Sequence, residues 1–199
     1  IACQITLIKF FKKIYFSSKN YNKSLESKTP QQVYYNPNSF LLSIITSYKA
    51  HSFKINDIDP NIFWLEDKKK DEEQIHSFLW LSLIDRKTDH TKIKKIIYIW
   101  MLKNSKYKKK TWEPSILSTR IISWILNVDI ILNNSTVDFR RNFLNCIISQ
   151  TNHLKRNIRF ESDTKKKVEI LTAIILTGLV FKEYEENFNI GIKAVSYTH

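Results

Sequence analysis

Glycine is almost absent from this chain of 199 residues, which holds two, Gly178 and Gly191. That scarcity excludes the G-x-x-x-x-G-K-[ST] and G-x-G-x-x-G loops that cradle phosphates. It also disfavours an all-β protein with many tight turns and a doubly wound α/β fold, whereas helix interiors exclude glycine in any case. Cysteine is equally sparse. Cys3 and Cys146 stand too far apart for a disulfide framework or a metal site, and Cys146 falls in an apolar helical pattern that predicts a buried thiol. Five histidines (His51, His76, His90, His153, His199) are scattered without H-E-x-x-H or any other metal-ligand spacing, so no metal and no cofactor is expected. There is no nucleophile elbow to support a Ser/His/Asp triad. No run of 18 apolar residues occurs, so no membrane span is expected.

What the chain has in quantity is positive charge: a formal +13, carried by 26 lysines against 6 arginines. With abundant Ile and Asn, that lysine excess matches the residue usage of an AT-rich genome. Arginine, which suits forked contacts to phosphate and guanine, is scarce. Nucleic-acid binding therefore rests on charge alone and ranks last among the possible functions. An acidic polysaccharide would serve equally well as a polyanionic partner.

The hydrophobic fraction of 43% is enough for a core, and the pattern along the chain is mostly helical. Residues 1–16 are basic and amphipathic, predicting a helix. Residues 17–39 read as an extended linker, 40–58 as short strands or a hairpin-like excursion, and Asp57-Ile58-Asp59-Pro60 as a turn. Residues 1–73 thus form an irregular or β-containing N-terminal extension. From residue 74 the texture becomes regular. Helices are predicted over 73–86, from Asp89 or Thr91 through Met101, from Pro114 to Asn133, over Val137–Phe160 and over Thr164–Phe181, with a sixth starting near Glu183. The stripe assigned to the fifth is Val168, Leu171, Ile174, Ile175 and Leu179. Short connections between such helices predict antiparallel pairs, and an incomplete array would leave apolar area on its last helices. Residues 74–195 make that array. Residues 196–199 read as a non-native tail, because Val195-Ser196-Tyr197-Thr198-His199 resembles a translated adapter sequence.

Two constellations could carry chemistry. Trp112, Pro114, Ser118, Arg120 and Trp124 form a W-x-P-x-x-x-S-x-R-x-x-x-W pattern, in which Arg120 and Trp124 share a helical face with Leu117 and Ile121. A guanidinium within an apolar stripe either ties two helices together or sits at the lip of a cleft. At a cleft it would fork onto a carboxylate while the indoles stack on a sugar face. His153 and Asn157 are a polar i, i+4 pair that either joins helices or lines the same cleft. Trp80 and the lysine runs 68–70, 108–110 and 165–167 read as packing and solvated surface respectively.

These residues resemble the N-terminal helical region of the heparinase II/III-like family of polysaccharide lyases and relatives. His76-Ser77-Phe78-Leu79-Trp80-Leu81 is similar to the family's aromatic helix, and Trp112 through Ser118, Arg120, Ser123 and Trp124 to its W-x-P-…-S-x-R-x-x-[NS]-W signature. His153-Leu154 with Asn157, then 171–179, resembles its H-L…N-L…A-G-L block. The likeness runs from about residue 74 to 194, and its nearest subgroup is bacterial, periplasmic or cytoplasmic.

The resemblance implies an all-α fold of antiparallel helix pairs forming part of an incomplete (α/α) toroid. The other toroid half, a β-sandwich and the Tyr and His bases are expected beyond residue 199. It also implies β-elimination of uronate-containing polysaccharides in the intact protein, with this segment inactive alone, and Trp112, Arg120, Trp124, His153 and Asn157 near the substrate. One departure stands out. Where many lyases carry Gly-Asn-His, this chain has Thr164-Lys165-Lys166, which favours a non-catalytic glycan-binding or scaffold module as the alternative.

Overall fold

A computed structural model describes residue 11 and residues 14–34, 72–84 and 90–196. Its helices are α1 (Lys19–Ser24), α2 (Glu72–His76), α3 (His90–Asn104), α4 (Pro114–Leu126), α5 (Val128–Leu132), α6 (Val137–Asn157), α7 (Thr164–Val180) and α8 (Glu185–Ser196). Three 3₁₀ turns, Leu79–Leu83, Ile158–Phe160 and Lys182–Tyr184, complete the set, and no strand occurs among the described residues. The all-α expectation is met there. The hairpin expected over 40–58, the turn at 57–60, the lysine run 68–70 and residues 197–199 lie outside the described residues, as do Cys3 and Asp89.

Where prediction and structure part, local pattern yielded to packing. The linker expected over 17–39 contains a helix, α1, because the Ser18 side chain caps it by accepting from the Tyr21 N–H at 3.1 Å. After α1 the chain runs as a strap to Tyr34, whose N–H donates to the Val180 carbonyl at 3.0 Å. Along the way Asn152 donates to the Leu25 carbonyl, Thr29 to Asn145, and Tyr184 to the Lys28 carbonyl. The single helix expected over 73–86 breaks after His76, where Phe78 takes a left-handed φ of 58°. A non-glycine residue holds that conformation only when its surroundings fix it. Here the Phe78 ring is fully buried, edge-on to Trp100 and Trp124 with centroids 5.6 and 5.1 Å away.

The third predicted helix also divides. Pro114 occupies its first turn, where a missing N–H costs nothing, and Glu113 accepts from the Ser115 and Ile116 N–H groups as the cap. It stops at Leu126, because the Asn127 side chain bonds back to the Ser123 carbonyl and a separate short helix, α5, follows. The buried apolar residues of α3 (Ile93, Ile96, Ile97, Trp100, Met101) fall at i, i+3, i+4, i+7 and i+8, one helical face. Phe78, Trp100, Trp124 and Phe143 then bring the 76–83 segment, α3, α4 and α6 together in one aromatic core, and Cys146 is a buried thiol as expected.

The stripe assigned to the fifth helix is corrected. Val168 and Leu179 stay 57% and 52% exposed, while Ile170, Ala173, Thr177, Gly178 and Val180 are buried. The cause is two-sided contact: α7 packs against α4 and even more closely against α8. Both glycines of the chain serve that second packing. A Cβ at Gly178 would fall 2.2 Å from the Phe188 backbone nitrogen, and one at Gly191 would fall 2.2 Å from Ile175 Cγ1. Helix propensity alone would favour alanine at either position by about 1 kcal/mol. At Gly178 the obstacle is backbone, which cannot rotate away, so overpacking wins. Gly178→Ala is expected to cost about 1–3 kcal/mol in urea denaturation followed by circular dichroism. Gly191→Ala should cost less, since the Ile175 side chain can turn. A Gly178→Ala chain as stable as the parent would show that α7 and α8 do not approach this closely.

Candidate functional site

The W-x-P…R…W residues converge, but on the inside of the molecule. Arg120 is 0% exposed. Its Nε donates to Gln150 Oε1 at 2.9 Å and its Nη1 to the His76 carbonyl at 2.8 Å, and its guanidinium carbon stands 4.4 Å from the Trp100 ring centroid. Burial pushes this guanidinium down to about 9, which still leaves it charged at neutral pH. Its Nη2 has no hydrogen-bond partner among the described residues. Trp112 and Trp124 are 1% and 0% exposed, and the Trp112 indole donates to the Asn104 carbonyl at 2.9 Å. The cleft-lip placement expected for Arg120 and Trp124 is therefore corrected. Arg120 ties α4 to α6 and to the end of α2, and Trp124 belongs to the aromatic core. A periodic apolar face cannot by itself tell a rim from an interior, and here neighbouring helices close over it.

His153 and Asn157 are placed differently. Together with Trp112 they line a cavity of about 300 Å³ beside the C-terminal end of α6, with Phe16, Tyr107 and Phe160 among the other walls. His153 sits among four aromatic rings. The centroids of Phe16, Tyr107 and Trp112 lie 5.3, 5.4 and 5.3 Å from its own, and that of Tyr21 lies 5.9 Å away. Tyr21 Oη and His153 Nδ1 are 2.7 Å apart, and Asn157 Nδ2 donates to Tyr21 Oη at 3.3 Å and to the His153 carbonyl at 2.8 Å.

These contacts favour one tautomer of His153. The Tyr21 oxygen accepts from Asn157, so its proton is directed to Nδ1, which acts as acceptor. The ring proton then resides on Nε2, for which no partner occurs among the described residues. Burial, with Arg156 nearby, lowers His153 to about 4, so the ring is neutral at physiological pH. Burial likewise raises Tyr21 and Tyr107, keeping both phenols protonated. His153 is thus a neutral ring at the cavity wall, framed by aromatic faces.

The charges near the cavity are mostly spoken for. Glu113 caps α4 and pairs with Lys166 at 2.7 Å, and that pairing raises Lys166. Glu161 accepts from the Ser162 and Asp163 N–H groups. Lys109 lies exposed at the wall. Among the described residues no group of His, Cys, Asp and Glu could hold a metal ion.

Sequence reasoning missed Tyr21, Phe16 and Tyr107. Tyr21 is 132 residues from His153 and lies in a stretch without periodicity, so only its capping serine hinted at order there. Compared with known proteins, the chain matches no family model, no curated protein and no solved structure.

Proposed function

We propose that this chain is the N-terminal helical part of a heparinase II/III-like protein, and that it holds an uronate-containing polysaccharide in the cleft at His153 and Asn157. The reading rests on the likeness of residues 74–194 to that family's motifs. The one observation that carries it is the His153 imidazole set among aromatic rings beside an open cavity. Pyranose rings are bound by such a combination: apolar C–H faces against aromatic walls, and polar edges against a few fixed donors. A neutral N–H also suits a carboxylate acceptor, because it adds no buried charge of its own.

Apolar surface on the last two helices is in keeping with the proposed array of helix pairs. Val168 and Leu179 on α7, and Ile190 and Ile192 on α8, each leave 45–57% of their surface exposed. Arg120 and its neighbours fix the packing of such an array rather than touch the sugar. In this reading the cleft holds the sugar, with the His153 Nε2–H as a donor to it. The Gly-Asn-His position holds Lys165, which is exposed, and Lys166, which is engaged by Glu113. Nucleic-acid binding draws no support from the charge distribution, because exposed lysines are spread over α1, α3, α7 and α8.

The test is a titration of the chain with an oligogalacturonate or a glucuronate-containing oligosaccharide, followed by calorimetry. Saturable binding is expected, and Asn157→Ala or His153→Gln should weaken it by about tenfold, the loss of one fixed hydrogen bond at the ligand. For the intact lyase, the companion readout is absorbance of the new C4–C5 double bond. Absence of saturable binding by the parent chain, or binding indifferent to both substitutions, would remove the cleft from the account.

A further inference from the structure

A second cavity, of about 420 Å³, lies between α3 and α6 and shares with the site above only the Trp112 wall. Its walls are set by helical spacing. Tyr98, Met101 and Leu102 stand at i, i+3 and i+4 on one face of α3, and Ser105 follows just past its end. Asn142, Asn145, Cys146 and Ser149 stand at i, i+3, i+4 and i+7 along α6. Asn22 of α1, Leu25, Glu26 and Ser27 of the strap, Lys106 and Trp112 supply the rest of the lining.

The two walls differ in kind. The α3 wall offers a ring and two aliphatic side chains, with Tyr98 44% and Leu102 67% exposed. The α6 wall offers amides and a hydroxyl. Asn145 Oδ1 accepts from Thr29, which leaves its amide N–H₂ free of any hydrogen bond among the described residues. The Asn142 side chain and the Ser149 hydroxyl likewise have none there. Charge is nearly excluded: in a chain with 32 Lys and Arg, the lining includes one cation, Lys106, and one carboxylate, Glu26.

Each property removes a class of ligand. A polyanion would find no counter-charge beyond a single lysine offset by a glutamate. A wholly apolar molecule would cover the α6 amides without hydrogen bonds, which is costly. An uncharged molecule with one apolar face and hydroxyls around its edge satisfies both walls, and the volume falls within the range of small-ligand sites. We infer that the α3–α6 groove is a binding site for a neutral pyranoside, with the sugar's C–H face on Tyr98, Met101 and Leu102 and its hydroxyls on Asn142, Asn145 and Ser149. This site meets the His153 cleft only at the Trp112 indole, and its polar contacts come from other residues.

The experiment titrates the ¹⁵N-labelled chain with cellotetraose and with N,N′-diacetylchitobiose, using oligogalacturonate as the charged comparison. The side-chain amide signals of Asn142 and Asn145 should shift saturably with at least one neutral probe, at an affinity that salt does not change. Tyr98→Ala and Asn142→Ala, both at exposed positions, should each weaken that binding about tenfold while the spectrum stays folded. His153→Gln should leave it unchanged, so failure of the acidic-sugar reading and failure of this one are seen separately. The inference is overturned if neither neutral probe shifts those amides, if the two groove variants bind as the parent does, or if oligogalacturonate binds the groove more tightly in a salt-sensitive way.

Discussion

Arg120→Ala is expected to cost the chain about 3–5 kcal/mol, the largest loss among single substitutions considered, because it combines a large cavity with the loss of a buried hydrogen-bonding cation. The guanidinium fills space between Trp100 and Trp124, 4.4 and 5.9 Å from their ring centroids, and it satisfies Gln150 Oε1 and the His76 carbonyl. Truncation to alanine empties that space and leaves both acceptors sealed from water, each at about 1–3 kcal/mol if unrelaxed. Arg120→Met separates the two causes. It restores most of the volume and removes the need to keep a charge away from water, so it should recover a good part of the loss. Urea denaturation of the three chains measures this directly. If Arg120→Ala unfolds at the same urea concentration as the parent, Arg120 is not the tie between α4, α6 and the end of α2.

The second large effect is acid sensitivity from His153. Its folded-state value is about 4 against an ordinary value of 6.5, with burial as the main cause and Arg156 adding to it. Between those values the unfolded chain binds more protons than the folded one, so stability rises with pH across the window. Put the other way, the contribution is fully present above pH 6.5 and is lost as pH falls towards 4. Its full size is about 3 kcal/mol, the free-energy equivalent of the shift. His153→Gln removes this titration. Its melting temperature should fall less steeply than the parent's between pH 6.5 and 4, even if it melts lower at pH 7. Parallel pH profiles for the two chains would mean that His153 is protonated without penalty, and the neutral Nε2–H donor proposed for the cleft would fall with it.

How far the sequence could be read depended on the range of the interactions involved. The stripe of α3, the start of α4 at Pro114 and the start of α6 beyond Thr136 follow from contacts within a few residues. All three were legible from spacing and capping. The breaks at Phe78 and Asn127 were not, since one is imposed by aromatic rings on α3 and α4 and the other by a side chain that competes with the backbone. The face of α7 was misread for a related reason. A helix packed on two sides has a wider apolar surface than one stripe, and nothing local says which part is covered.

The same division runs through the candidate site. Composition and periodicity by themselves determined an all-α character for the described segments, a buried Cys146, and the pairing of Arg120 with Trp124 and of His153 with Asn157 on their helices. Each follows from the 3.6-residue repeat. Only the tertiary structure decided that the first pair faces inward and the second faces a cavity, and only it brought Tyr21 and Tyr107 to His153. The physical reason is that burial and tautomer belong to what surrounds a side chain, and here those surroundings come from segments up to 132 residues away.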